Sequence, residues 1–95
     1  MKINYSPESI NDLIRLREFI RVKNPATARR IAKELLVGIG KLKTFPKMGL
    51  PVKRAPDSGV IRDLFIGQYT VRYYVSSQNI FILRMWHGKE IGKDL

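Results

Sequence analysis

The chain has 95 residues, no cysteine, one histidine and a formal net charge of +10, from eighteen Lys and Arg against eight Asp and Glu. Without cysteine there are no disulfides or thiolate ligands, and one histidine with no clustered carboxylates offers no metal site. No apolar run approaches the ~18 residues of a membrane span.

A chain of this size hides only about 60–65% of its unfolded surface, so residues 1–95 are expected to form one domain with a modest core. The opening MKINYSPESI lacks the apolar segment of a signal peptide, and the expected location is the cytoplasm. Self-repulsion at +10 destabilises a small compact protein. The charge therefore points to a polyanionic partner: nucleic acid, an anionic membrane or an acidic protein.

In chain order, Lys2-Ile3-Asn4-Tyr5 alternates polar with apolar and reads as an edge strand. Ser6-Pro7-Glu8 opens a helix, with a cap residue, proline at the first position and negative charge in the first turn. Ile10, Leu13, Ile14, Leu16 and Ile20 keep helical spacing to about Val22-Lys23. Asn24-Pro25 repeats the start signal. The second helix runs to about Lys43, with Ala28, Ile31, Ala32, Leu35, Ile39 and Leu42 on one stripe. Gly38 and Gly40 weaken it locally and suit a close approach of another element.

Phe45-Pro46 stops that helix. A connection without periodicity then reaches Gly59, carrying Lys47, Lys53 and Arg54. Val60 to Gly88 reads as three strands, with turns at Gly67-Gln68 and Ser77-Gln78. Strict alternation puts Phe81, Leu83 and Met85 opposite Ile80, Ile82, Arg84 and Trp86 on the last strand. The order is β-α-α-β-β-β. The fold class is α+β, a helical hairpin on a mainly antiparallel four-stranded sheet.

The candidate working residues lie on and around that sheet. Arg62, Arg72 and Arg84 fall one per strand, and the last strand ends in Trp86-His87 followed by Lys89. With Lys53 and Arg54 they make a candidate target- or polyanion-binding set. Tyr74 and Trp86 are candidates for stacking on bases, while Tyr5, Tyr69 and Tyr73 read as packing. A metal-free nuclease would need His87 as acid or base, with Arg84 and Arg62 on the developing charge. The plainer reading is that His87 caps a strand end and the arginines are solvated. No cofactor is expected, because Gly38-Ile39-Gly40 lies inside a helix rather than in a phosphate loop.

The fragments Ser6-Pro7-Glu8, Asn24-Pro25-Ala26-Thr27-Ala28-Arg29-Arg30 and Phe45-Pro46-Lys47-Met48-Gly49 occur in that order. Arg62-Asp63-Leu64, Gly67 to Val75 and Ile82 to Lys89 follow. In sequence and spacing the set resembles the ParE/RelE superfamily of toxins from bacterial type II toxin–antitoxin (plasmid stabilisation) systems. The resemblance implies a helical hairpin on an antiparallel sheet and a cognate antitoxin, acidic or amphipathic and partly disordered, in a hetero-oligomer. It also implies one of two targets. The ParE-like branch is associated with direct inhibition of DNA gyrase, and the RelE-like branch cleaves messenger RNA on the ribosome. Three positions favour ParE: Ile66 where a RelE-type catalytic Arg stands, Thr70 where an Arg is common, and no Tyr after His87. A non-toxic relative that only pairs with its antitoxin is the remaining alternative.

Overall fold

The structure is a computed structural model describing residues 1–56 and 59–90. Asp57, and the tail from Ile91 to Leu95 that was read for the missing Tyr, lie outside the described residues. Strand β1 (Lys2–Tyr5) leads into helices α1 (Pro7–Arg21) and α2 (Pro25–Gly40), and a 3-10 turn (Lys41–Lys43) extends α2. Then come β2 (Leu50–Pro51), β3 (Ile61–Ile66), β4 (Tyr69–Val75) and β5 (Asn79–His87). The strands form one mixed sheet in the order β1-β5-β4-β3-β2. The first strand pairs in parallel with the last, and the other neighbours are antiparallel. The expected four strands are present. The fifth, β2, sits inside the connection read as structureless, because Leu50 and Pro51 pair with Asp63 and Arg62.

Both helix starts form as their sequences require. Ser6 Oγ accepts the Ser9 amide at 3.0 Å, and Asn24 Oδ1 accepts the Thr27 amide at 3.1 Å. Ser6 also donates its hydroxyl to the Leu83 carbonyl at 3.0 Å, which ties the entry of α1 to β5. The hairpin covers one sheet face. Leu16, Leu35, Ile39 and Leu42 meet Leu64, Val71, Tyr73, Ile80, Ile82 and Met85 in the core.

Two expectations are corrected here. Ile10 and Ile14 are not core residues, being 46% and 47% exposed. In α1 the buried positions are Ser9, Asp12 and Leu16, because Asp12 is drawn to the sheet by two partners on β5. Strict alternation along β5 also fails. Tyr73 pairs with Ile82 and Arg72 with Arg84, so Leu83 is an extra residue, a β-bulge. The bulge lets Ile80, Ile82 and Met85 all reach the core.

Glycine matters where chains crowd. A Cβ on Gly38 would lie 2.6 Å from Ile66 Cδ1, the close approach that the sequence suggested. One on Gly49 would lie 2.7 Å from the Asp63 carbonyl oxygen. Gly49 also donates its amide to Tyr73 Oη at 2.9 Å, which pins the loop before β2 to the buried phenol. Gly67 has φ 58°, as the first position of a two-residue hairpin turn demands.

Candidate functional site

The three strand arginines are not gathered into one cationic cluster. Arg62 donates to the carbonyls of Gly49 (2.7 Å), Lys47 (3.3 Å) and Gly59 (3.3 Å), bracing the connection against β3. Arg72 makes a bidentate pair with Asp63 across the strands, at 2.8 and 2.9 Å. Its guanidinium lies 5.2 Å from the centre of the Trp86 ring. Arg84 makes its bidentate pair with Asp12 of α1, at 2.7 and 3.1 Å. Arg72 and Arg84 are cross-strand partners, yet each guanidinium goes to a different carboxylate.

Asp12 is the most constrained charge. It accepts from Arg84, from the Met85 amide at 2.9 Å and from Arg15, and is 4% exposed. Burial pushes its carboxyl up, but the bonds from Arg84 and Met85 and the charges of Arg84 and Arg15 outweigh that. The net result lies below the usual carboxylate value.

His87 ends β5 in a fixed tautomer. The Lys89 amide donates to Nδ1 at 3.0 Å, so that nitrogen carries a lone pair. The ring proton is then on Nε2, facing Gln68 Oε1 at 2.9 Å. Tyr69 meets the ring edge-on, with centroids 5.0 Å apart. Glu90 accepts the His87 amide at 2.8 Å and also pairs with Arg15. Both ring nitrogens are thus engaged. The row joining His87, Tyr69 and Ile66 lies four residues along β3 from Arg62. At the strand rise that is about 13 Å, before the offset across the sheet is added. His87 and Arg62 thus lie towards opposite ends of the sheet, each engaged with partners of its own.

The remaining members are more open. Lys53 and Arg54 are exposed beyond β2 and have no ion pair among the described residues. They lie towards the Ile61 end of β3, where the Val52 amide donates to the Ile61 carbonyl. Lys89 borders a hollow of ≈520 Å³ between the end of α1 and His87, with Phe19 and Tyr69. Of the stacking candidates, Tyr74 is partly exposed beside Phe81, whereas Trp86 is capped by Arg72.

Sequence reasoning missed a concavity beside α2. A groove of ≈720 Å³ runs between α2 and the β3 edge. Val37, Met48, Leu50 and Phe65 supply its apolar lining, and Lys33 and Lys41 lie along it. Beyond its short pairing with β2, the Leu64–Ile66 edge of β3 has no strand beside it among the described residues. Leu50 and Phe65 are 63% and 58% exposed, so this apolar surface is uncovered. The signal that could have found it was the run Met48-Gly49-Leu50, which is apolar, follows a helix stop and opens a short strand.

A protein-family model described as the ParE toxin of a type II toxin–antitoxin system, parDE, matches residues 3–92. The chain belongs to the ParE toxin family. A solved structure described as a chromosomal ParDE toxin–antitoxin system from P. aeruginosa has the same fold, with a TM-score of 0.77 at 18% identity. The match covers 92% of this chain and 95% of that one. No individually curated protein matches. Membership in the ParE family brings an antitoxin partner with it. No helix among the described residues is long and apolar enough to cross a membrane.

Proposed function

We propose that this ParE-family chain acts in the cytoplasm by binding DNA gyrase directly, and that its cognate antitoxin neutralises it by covering an apolar and cationic surface. The observation that carries the choice of binding over chemistry is the state of His87. Both ring nitrogens are engaged, and Arg62 is turned to the loop carbonyls. Target recognition then falls to the exposed Lys53, Arg54 and Lys89 and the half-buried Arg72 and Trp86, with Arg62 and Arg84 holding that surface in shape.

The antitoxin segment fits the groove beside α2. Its apolar residues would cover Val37, Leu50 and Phe65, and its carboxylates would face Lys33 and Lys41. A segment that folds only on binding pays its ordering entropy there, so a broad apolar contact is needed to hold it.

The test is a gyrase supercoiling assay run beside an in vitro translation assay. Purified protein should block supercoiling, His87→Ala should block it equally well, and added antitoxin should relieve the block. No effect on supercoiling at stoichiometric excess overturns the reading. Translation-dependent messenger RNA cleavage that disappears in His87→Ala would instead establish the ribosomal target.

A further inference from the structure

The positive charge is unevenly neutralised. On the helices, Arg15, Arg17, Arg21 and Arg30 each pair with a carboxylate, and on the sheet so do Arg72 and Arg84. From Lys41 to Arg54 there are five cations and no carboxylate in the sequence. None of those five has an ion-pair partner among the described residues. Three of them, Lys41, Lys43 and Lys47, surround the end of α2, where the 3-10 turn runs into Phe45-Pro46. Phe45 is 61% exposed and lines an open hollow of ≈550 Å³ with Thr44, Pro46, Lys47 and Met48.

Phe19 and Phe65 are exposed to a similar degree, and what distinguishes Phe45 is the cations on either side of it. Here it stands two residues from Lys43 and two from Lys47, on a short segment held in place. The Phe45 amide donates to the Lys41 carbonyl at 2.9 Å, and the Met48 amide to the Phe45 carbonyl at 3.1 Å. Arg62 and Tyr73 hold the same segment from below, through Lys47 and Gly49.

From this arrangement we propose that the Lys41–Met48 corner is a binding site for single-stranded nucleic acid, in which a base stacks on Phe45 and Lys41, Lys43 and Lys47 meet the adjoining phosphates. The chemistry favours a single strand over a duplex. A phenyl ring needs an unstacked base face, and ammonium groups are point charges that suit phosphates without reading sequence. It also favours nucleic acid over an acidic peptide, since carboxylate side chains would use the lysines and leave the ring uncovered. The site adjoins the antitoxin groove: Met48 lines both hollows, and Lys41 lines the groove. It does not depend on which target the toxin has.

The experiment is fluorescence anisotropy of a labelled twelve-nucleotide oligo-dT with the purified chain, across a salt series. Three phosphate contacts on a single strand give a slope of log K against log salt of about −2. Lys43→Gln and Lys47→Gln should each make that slope shallower by about 0.7. Phe45→Ala should weaken binding about tenfold with the slope unchanged, and Phe45→Trp should restore it. Arg29→Gln, which removes a cation without an ion pair among the described residues at the other end of α2, should stay within twofold. Melting curves of the variants should overlay, since all these side chains are exposed. The proposal is overturned if Phe45→Ala binds as tightly as the parent chain. It is also overturned if a duplex of equal length binds as well, or if polyglutamate displaces the oligonucleotide at equal charge. Failure in gyrase inhibition with intact oligonucleotide binding would count against the target alone.

Discussion

Asp12 shows how one residue sets the attitude of a helix. Its carboxylate gathers Arg84, Arg15 and the Met85 amide beneath α1, and this turns Ile10 and Ile14 outward although their spacing suits a core. Removing one partner of a buried pair leaves the rest uncompensated, so Asp12→Ala should cost about 3 kcal/mol; Arg84 can still reach water, which keeps the loss at the low end. The pair also fixes an acid limb. The carboxyl lies below its unfolded value, so the folded chain binds fewer protons than the unfolded one in that window. Its stability is present above about pH 4 and is lost as pH falls through the folded-state value. Thermal melts of the parent chain should therefore drop on acidification below that point. Asp12→Asn should start lower and fall less steeply; parallel curves for the two chains would rule the assignment out.

At the scale of elements, the two helix caps look equivalent in sequence and differ in structure. Ser6 serves α1 and β5 at once, through the Ser9 amide and the Leu83 carbonyl, whereas the Asn24 cap serves α2 and is exposed. Asn24→Ala should cost about 1 kcal/mol in a denaturant melt, and Ser6→Ala nearer 2 kcal/mol because the strand contact goes with the cap. Equal losses would mean that the Leu83 contact contributes nothing. The contrast explains what could be read in advance. Helix starts, the Gly67-Gln68 turn and the succession of elements along the chain are local signals, carried by neighbours in sequence. The Leu83 bulge, the β2 pairing and the outward turn of Ile14 depend on partners far away in sequence, which periodicity does not register. The candidate site divides the same way. The arginines were visible as residues, but their use as braces to Asp12, Asp63 and the Gly49 carbonyl was not. The apolar groove came from apposing α2 to β3, and only folding brings those together.

For the whole molecule, the paired and unpaired charges separate two kinds of work. Arg62, Arg72 and Arg84 tie elements of the fold together, while Lys33, Lys41 and their neighbours past α2 remain available to an anionic partner. Antitoxin binding should then have a screened part and an unscreened part. Raising salt from 0.05 to 0.5 M shortens the Debye length from about 14 to about 4 Å, and affinity should fall until only the apolar contact remains. Lys33→Gln with Lys41→Gln should flatten that fall, and Phe65→Ser should lower the plateau instead. Calorimetric titration across the salt series measures both. An affinity unchanged by salt would mean that the excess charge serves something other than the antitoxin.

The parallel pairing of β1 with β5 has a consequence for how the chain comes to exist. Lys2–Tyr5 is synthesised before the rest of the sheet, yet the strand it pairs with is the last of the described strands to be completed. Until that final strand emerges, the hydroxyl of Ser6 lacks its carbonyl, and Asp12 would sit under apolar helix with its chief donors missing. A nascent polypeptide broken off before Met85 has no route to the finished architecture, so premature termination yields an inert fragment rather than a partly armed one.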